Sequence, residues 1–145
     1  MAIVSDQNEQ LSIQNYFSCP VYSIEKPEWV AKIDKACDKH IKEAYKREKP
    51  KQAQRKKELG TKHYNAVKDH GMSYHSGAIE KDPALKDFIQ YCGQTSWNIL
   101  DGQGFDMSNY TMFFTECWVQ EFSKNGGGHH NTHIHSDNHI SGFYY

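Results

Sequence analysis

Hydrophobic residues follow two different periods along the chain. From Glu28 onward Trp29, Ile33, Ala36, Cys37, Ile41, Ala44 and Tyr45 recur at steps of three and four, which predicts an amphipathic helix entered through Pro27. A second helix is predicted with Asp82 as N-cap and Pro83 as its first residue. There Leu85, Phe88, Ile89, Cys92, Ser96 and Trp97 share a face, and Gly93 weakens the helix without ending it. Residues 100–109 are dense in Gly, Asp and Asn and predict a turn region. Beyond them the period becomes two. In residues 110–122, Phe113, Thr115, Cys117 and Val119 fall on one face and Met112, Phe114, Glu116 and Trp118 on the other. Both faces are largely apolar, which predicts an internal strand.

The flanking segments are more polar. Residues 1–10 predict a loose tail, and residues 16–24 carry aromatic and β-branched side chains suited to a strand that Pro20 confines to an edge. Residues 46–57 read KREKPKQAQRKK, with Pro50 interrupting any helix. A phosphate-contacting patch and a solvated linker both fit this run. The linker is preferred, because no aromatic residues interleave the charges. A Gly-rich turn at residues 124–128 leads to HHNTHIHSDNH and then to SGFYY, the start of a further strand. Helices first and antiparallel strands afterwards predict an α+β fold or a helix-supported barrel.

Length adds that 145 residues make one domain of ordinary size. Seventeen basic against eighteen acidic residues give a net charge of -1, so the balance favours neither a nucleic-acid nor a membrane partner. The four cysteines, Cys19, Cys37, Cys92 and Cys117, form no CxxC pair and read as reduced core thiols. Neither a secretory leader nor a run of about 20 apolar residues is present, and a cytoplasmic protein is expected.

The chemistry is concentrated late in the chain. Of nine histidines, His129, His130, His133, His135 and His139 lie between positions 129 and 139, a density that points to a metal. In an extended segment residues two apart share a face, so His133, His135 and Asp137 converge. Imidazoles with a carboxylate suit Fe(II) held on one side with open positions opposite, and zinc fits the same ligands. The chain has no HExxH helix for a zinc protease and no cysteine pair for a structural zinc. A polar histidine-rich loop without metal is the bland alternative, and it is the preferred reading of His129, His130 and His139. Trp118 and Phe114 read most simply as core.

These residues carry a resemblance. Trp118, then Asn131 two positions before the first histidine of His133-Ile134-His135, then Ser141, Gly142, Phe143, Tyr144 and Tyr145 resemble the signature of a family of 2-oxoglutarate and Fe(II) dependent oxygenases common in marine bacteria and their phages. An early Pro-Val-Tyr strand at residues 20–22, two helices and the strand containing Trp118 resemble it as well. The specific part is the last thirty or so residues.

The resemblance implies a helix-supported double-stranded β-helix, a jelly-roll or cupin-like core. Residues 1–109 would supply an N-terminal strand and supporting helices, and residues 110–145 the start of the core. It implies iron ligation by His133 and His135, with cosubstrate contacts from Asn131, Ser141 and Tyr144. Many relatives in the wider superfamily carry Asp at the position of His135, and the frame His135 with Asp137 is also a literal HxD. The family's distal histidine and basic cosubstrate residue have no counterpart before Tyr145, so a fragment truncated after its first strands is expected. The implied reaction consumes 2-oxoglutarate and dioxygen at the iron and hydroxylates an organic or protein substrate. The rival is a cupin-like metal-binding protein that holds zinc, manganese or nickel and is not an oxygenase.

Overall fold

A computed structural model describes residues 20–145. The predicted tail at residues 1–10, Cys19 and the first part of the strand predicted at residues 16–24 lie outside the described residues. A 3-10 turn, Pro27–Trp29, opens α1 (Val30–Val67), which is followed by β1 (Ser73–His75). A second 3-10 turn, Pro83–Leu85, opens α2 (Lys86–Gly102), and a third, Met107–Asn109, precedes β2 (Gln120–Phe122). β1 and β2 pair antiparallel, with Tyr74 opposite Glu121. No helix is long and apolar enough to cross a membrane among the described residues.

The helix-period stripe becomes the core as expected. Ala36, Cys37, Ile41 and Ala44 of α1 are buried. Ala36 and Cys37 pack with Ile79 and Leu85, and Ile33, Ile89, Cys117 and Val119 close around them. Burying a side chain such as Leu85 stabilises the fold by about 2 kcal/mol. Asp82 caps the 3-10 turn ahead of α2, its carboxylate accepting from the Ala84 N–H at 3.0 Å, with Pro83 in the first position. Lys39 Nζ at 2.7 Å and His40 Nε2 at 2.6 Å reach the same carboxylate from α1. Asp82 thus ties the two helices together at the edge of the core.

Three sequence expectations are corrected. Residues 46–57 are the middle of α1, not a linker. Lys, Arg, Gln, Glu and Ala are good helix formers, and Lys51 pairs with Glu48 while Gln54 donates to Glu58 one turn on. Pro50 sits exposed inside the helix, where its missing N–H removes one bond of the ladder but buries no orphan group. The interruption falls instead at Gly60, whose φ of 71° only glycine adopts at low cost.

The second correction concerns residues 20–24 and 110–122. Residues 20–24 are irregular and exposed, with no strand ladder. Of residues 110–122 only Gln120–Phe122 is strand. Upstream, the pairing continues as two separate bonds, from the Ser76 N–H to the Val119 carbonyl and from the Ile79 N–H to the Cys117 carbonyl. Phe113 and Tyr110 are mostly exposed, so this is not an internal strand within the described residues. The alternation itself survives where it matters: Cys117 and Val119 face the core, and Glu116 and Trp118 face a surface cavity. Third, the turn expected from residue 100 begins later, because α2 runs through Gly102.

A second cluster, of polar groups, joins the end of α1 to the sheet. Fully buried Tyr74 donates to Asp69 Oδ2 at 2.6 Å, accepts from Gln52 Nε2 at 2.9 Å and stacks on Tyr45 at 3.8 Å between ring centres. Tyr45 in turn donates to Glu121 of β2 at 3.1 Å. Burial and the neighbouring Glu121 carboxylate push the Tyr45 hydroxyl up to about 12, so it remains a donor. Tyr74→Phe removes one donor and one acceptor from this buried network. The expected cost is about 1–2 kcal/mol, read as a lower urea midpoint at unchanged m-value.

The Asp82 cap predicts acid sensitivity. Hydrogen bonds from Lys39, His40 and the Ala84 N–H hold its carboxyl well below the usual carboxylate range. A depressed native pKa contributes stability that is complete above the unfolded value near 4 and is lost as pH falls through the native one. Unfolding followed from pH 6 down to pH 2 should show a loss of stability below about pH 4 that is reduced in Asp82→Asn. An unchanged slope in the variant would remove Asp82 as the source.

Candidate metal centre

The histidine-rich segment is positioned by the turn that follows β2. The carboxylate of Asp69, in the turn after α1, accepts from Ser123 Oγ at 2.8 Å and from the Asn125 side-chain amide. Ser123 Oγ in turn accepts from the Asn125 N–H at 3.0 Å. His70 Nδ1 donates to the Asn125 carbonyl at 2.7 Å, and its ring lies against Gly127. A Cβ on residue 127 would lie 2.5 Å from His70 Nε2, and its φ of 69° is left-handed, so glycine is required there. Burial alone would raise the Asp69 pKa. Hydrogen bonds from Tyr74, Ser123 and Asn125 outweigh it and hold the carboxyl below its ordinary value.

Beyond this turn the chain runs back over the outer face of residues 116–118 and lines an open surface cavity of about 470 Å³. Its walls are His75, Glu116, Trp118, His130, His133, Ile134, His135, Ser136 and Asn138. Five rings follow one another across it. His75 and Trp118 have centres 4.0 Å apart, Trp118 and His130 5.7 Å, His130 and His133 4.4 Å, and His133 and His135 4.7 Å. The depression of about 380 Å³ between α2 and residues 110–114 carries no histidine, cysteine or carboxylate.

Hydrogen bonding assigns the imidazole protons. His133 Nδ1 lies 2.8 Å from the Asn131 carbonyl, which only accepts, so Nδ1 carries the proton and the neutral ring presents a bare Nε2. The same logic holds for His75, whose Nδ1 donates to the Ser76 carbonyl at 2.9 Å, and for His130, whose Nδ1 donates to Gln120 Oε1 at 2.8 Å. His133 Nε2 and His135 Nε2 are 3.0 Å apart. With His133 as acceptor, His135 donates from Nε2. Two nitrogens bound at about 2.1 Å to one ion and at right angles also lie about 3.0 Å apart. The pair therefore has the bite of adjacent metal ligands, and a backbone carbonyl orients one of them as outer partners of metal-bound histidines commonly do.

The expected site residues divide. His133 and His135 share a face, as the two-residue period predicts. Asp137 leaves it: its φ is 62°, the chain turns at Ser136 and Asp137, and its side chain is not among the cavity walls. Asn131 contributes its carbonyl to His133. Ser141 is exposed and outside the cavity. Tyr144 is engaged elsewhere, donating to the Lys26 carbonyl at 2.6 Å and packing on Phe88 at 5.4 Å, so it pins the end of the segment to α2 and to the residue before the first 3-10 turn. His139 packs edge-on against Phe105 and His129 lies outside the cavity, whereas His130 is a wall of it. His75 and Glu116 were not expected there. Glu116 had a signal in the alternation of residues 110–122, but His75 is brought in only by the pairing of β1 with β2.

Burial pushes the Cys117 thiol up to about 11 and raises Cys37 and Cys92, and all three are free. They are poor metal ligands at neutral pH. Among the described residues no three His, Cys, Asp or Glu side chains are gathered around one point for a metal. The His133 and His135 Nε2 atoms have the separation that two adjacent ligands would have, and a third ligand is not in place. Comparison with models of protein families, with curated proteins and with solved structures finds no match to this chain.

The proton assignment is directly checkable. Long-range ¹H–¹⁵N correlation of the neutral imidazoles should show His75, His130 and His133 protonated on Nδ1 and His135 on Nε2. An Nε2–H signal from His133 would break the case for a preorganised pair.

Proposed function

We propose that this chain carries the metal-binding part of a 2-oxoglutarate and Fe(II) dependent oxygenase, with His133 and His135 as iron ligands. In this reading the segment from Trp118 onward belongs to a double-stranded β-helix core, and the activity is hydroxylation of an organic or protein substrate. The observation that supports it most is the 3.0 Å separation of the two Nε2 atoms, with His133 fixed in the ligand tautomer by the Asn131 carbonyl. The sequence context of Asn131, the HxH pair and Ser141 to Tyr145 adds to it.

Iron with 2-oxoglutarate would supply dioxygen activation. The share of this chain is orientation. Asn131 aims His133, and metal uptake would replace the His133–His135 hydrogen bond, which requires the His135 proton to move from Nε2 to Nδ1. Two adjacent ligands leave the remaining positions for the cosubstrate and dioxygen. Trp118 and Ile134 supply apolar wall to a cavity that is otherwise imidazole, carboxylate and amide. Of the residues assigned to the cosubstrate by resemblance, Asn131 is the one beside the pair. Ser141 and Tyr144 reach it only through a rearrangement of residues 141–145. A cytoplasmic location belongs to the same reading, since free cysteines and ferrous iron both suit a reducing compartment.

Anaerobic titration with Fe(II), followed by 2-oxoglutarate, tests the proposal. The expected result is a visible metal-to-ligand charge-transfer band that is lost in His133→Ala. Metal uptake without the band would favour the cupin-like metal protein. No uptake would overturn both readings of the pair.

A further inference from the structure

We propose that His130 is the third ligand of this centre, forming a three-histidine face with His133 and His135, a proposal that rests on reading those two as ligands. The ring centres of His130 and His133 are 4.4 Å apart and those of His133 and His135 are 4.7 Å apart. Imidazoles bound at adjacent positions on one ion, with metal–nitrogen bonds of about 2.1 Å, have centres about 4.5 Å apart. His130 and His135 are therefore each already spaced from His133 as neighbours in a coordination shell, although the three sets of nitrogens are not gathered around one point.

Two contacts prepare His130 for the role. Its Nδ1–H donates to Gln120 Oε1 at 2.8 Å, which leaves Nε2 as a lone pair. Its plane lies 10° from that of Trp118 at 5.7 Å, which limits tilting of the ring. His130 is exposed, so bringing Nε2 toward the pair disturbs no core packing. Gln120 is in β2 and pairs with His75, so its amide is anchored by the sheet. It holds for His130 the place that the Asn131 carbonyl holds for His133. Asp137 stands in a left-handed turn outside the cavity, and Glu116 lines the cavity from the same strand face as Trp118. Three neutral imidazoles leave the full charge of a divalent ion to be balanced by an anionic ligand, which favours a chelating dicarboxylate such as 2-oxoglutarate in the open positions.

Calorimetric titration of the full chain with Co(II), with the cobalt absorption spectrum recorded alongside, separates the possibilities. His130→Phe keeps a ring against Trp118 while removing both nitrogens. It should raise the Kd for Co(II) at least about 100-fold and change the ligand-field bands, and Gln120→Leu should raise the Kd about tenfold. Asp137→Ala should leave affinity and spectrum unchanged. If His130→Phe binds like the parent while His133→Ala and His135→Ala lose the metal, the third-ligand proposal is overturned and the reading of the pair stands. A loss on Glu116→Gln with a silent His130→Phe overturns it in favour of the carboxylate. Absence of Co(II) uptake by the parent chain overturns the proposal together with the reading beneath it.

Discussion

The carboxylate of Asp69 is the contact on which the arrangement of this chain turns. It accepts from Tyr74 in β1, from Ser123 just after β2 and from Asn125 in the following turn, while standing itself just past the end of α1. A two-stranded sheet of three-residue strands has little stability of its own. Here the sheet is held because its polar groups converge on one charged acceptor, and hydrogen bonds to a charge are roughly twice as strong as neutral ones. The buried core made by Ala36, Cys37, Ile79 and Leu85 lies on the far side of the same strand segment. Polar network and apolar core thus grip residues 117–123 from two ends.

That grip explains how a short segment serves two surfaces. Residues 116–119 alternate strictly: Cys117 and Val119 close the core, while Glu116 and Trp118 line the cavity. The carbonyls of Cys117 and Val119 are fixed by the N–H groups of Ile79 and Ser76, so the segment cannot slip by one residue without exchanging its faces. Trp118 packs on both His75 and His130, one imidazole from β1 and one from the returning segment. The cavity is built on the outer side of a strand whose inner side is core, and its geometry inherits the register of the core.

Much of this was legible in the sequence, for physical reasons that differ by element. The buried stripe of α1 and the Asp82-Pro83 start ahead of α2 were readable because periodicity and capping are local. The pairing of His133 with His135 was readable because a period of two needs only an extended chain. Residues 46–57 were misread because a proline and a dense charge run were weighed as breakers, whereas propensity and pairs one turn apart carry an exposed helix through both. Asp137 was grouped with the histidines because nothing in SDN announces a left-handed residue strongly enough to interrupt the alternation. His75 and Asp69 were not readable at all: their roles depend on contacts with residues 118–130, some fifty positions away, which no local pattern encodes.

The orientation of the histidine pair comes from backbone, not from burial. His133 and His135 are exposed, and the groups that aim the imidazoles around them are a carbonyl at Asn131, a carbonyl at Ser76 and an amide at Gln120. A carbonyl partner fixes the tautomer without adding negative charge, so the direction in which each imidazole presents Nε2 depends on where the main chain puts the carbonyl. The main chain from Asn125 to Asn131 is placed in turn by Asp69, His70 and the left-handed glycine at 127. Substitutions in this turn, outside the histidine pair itself, therefore act on the pair through the path of the backbone.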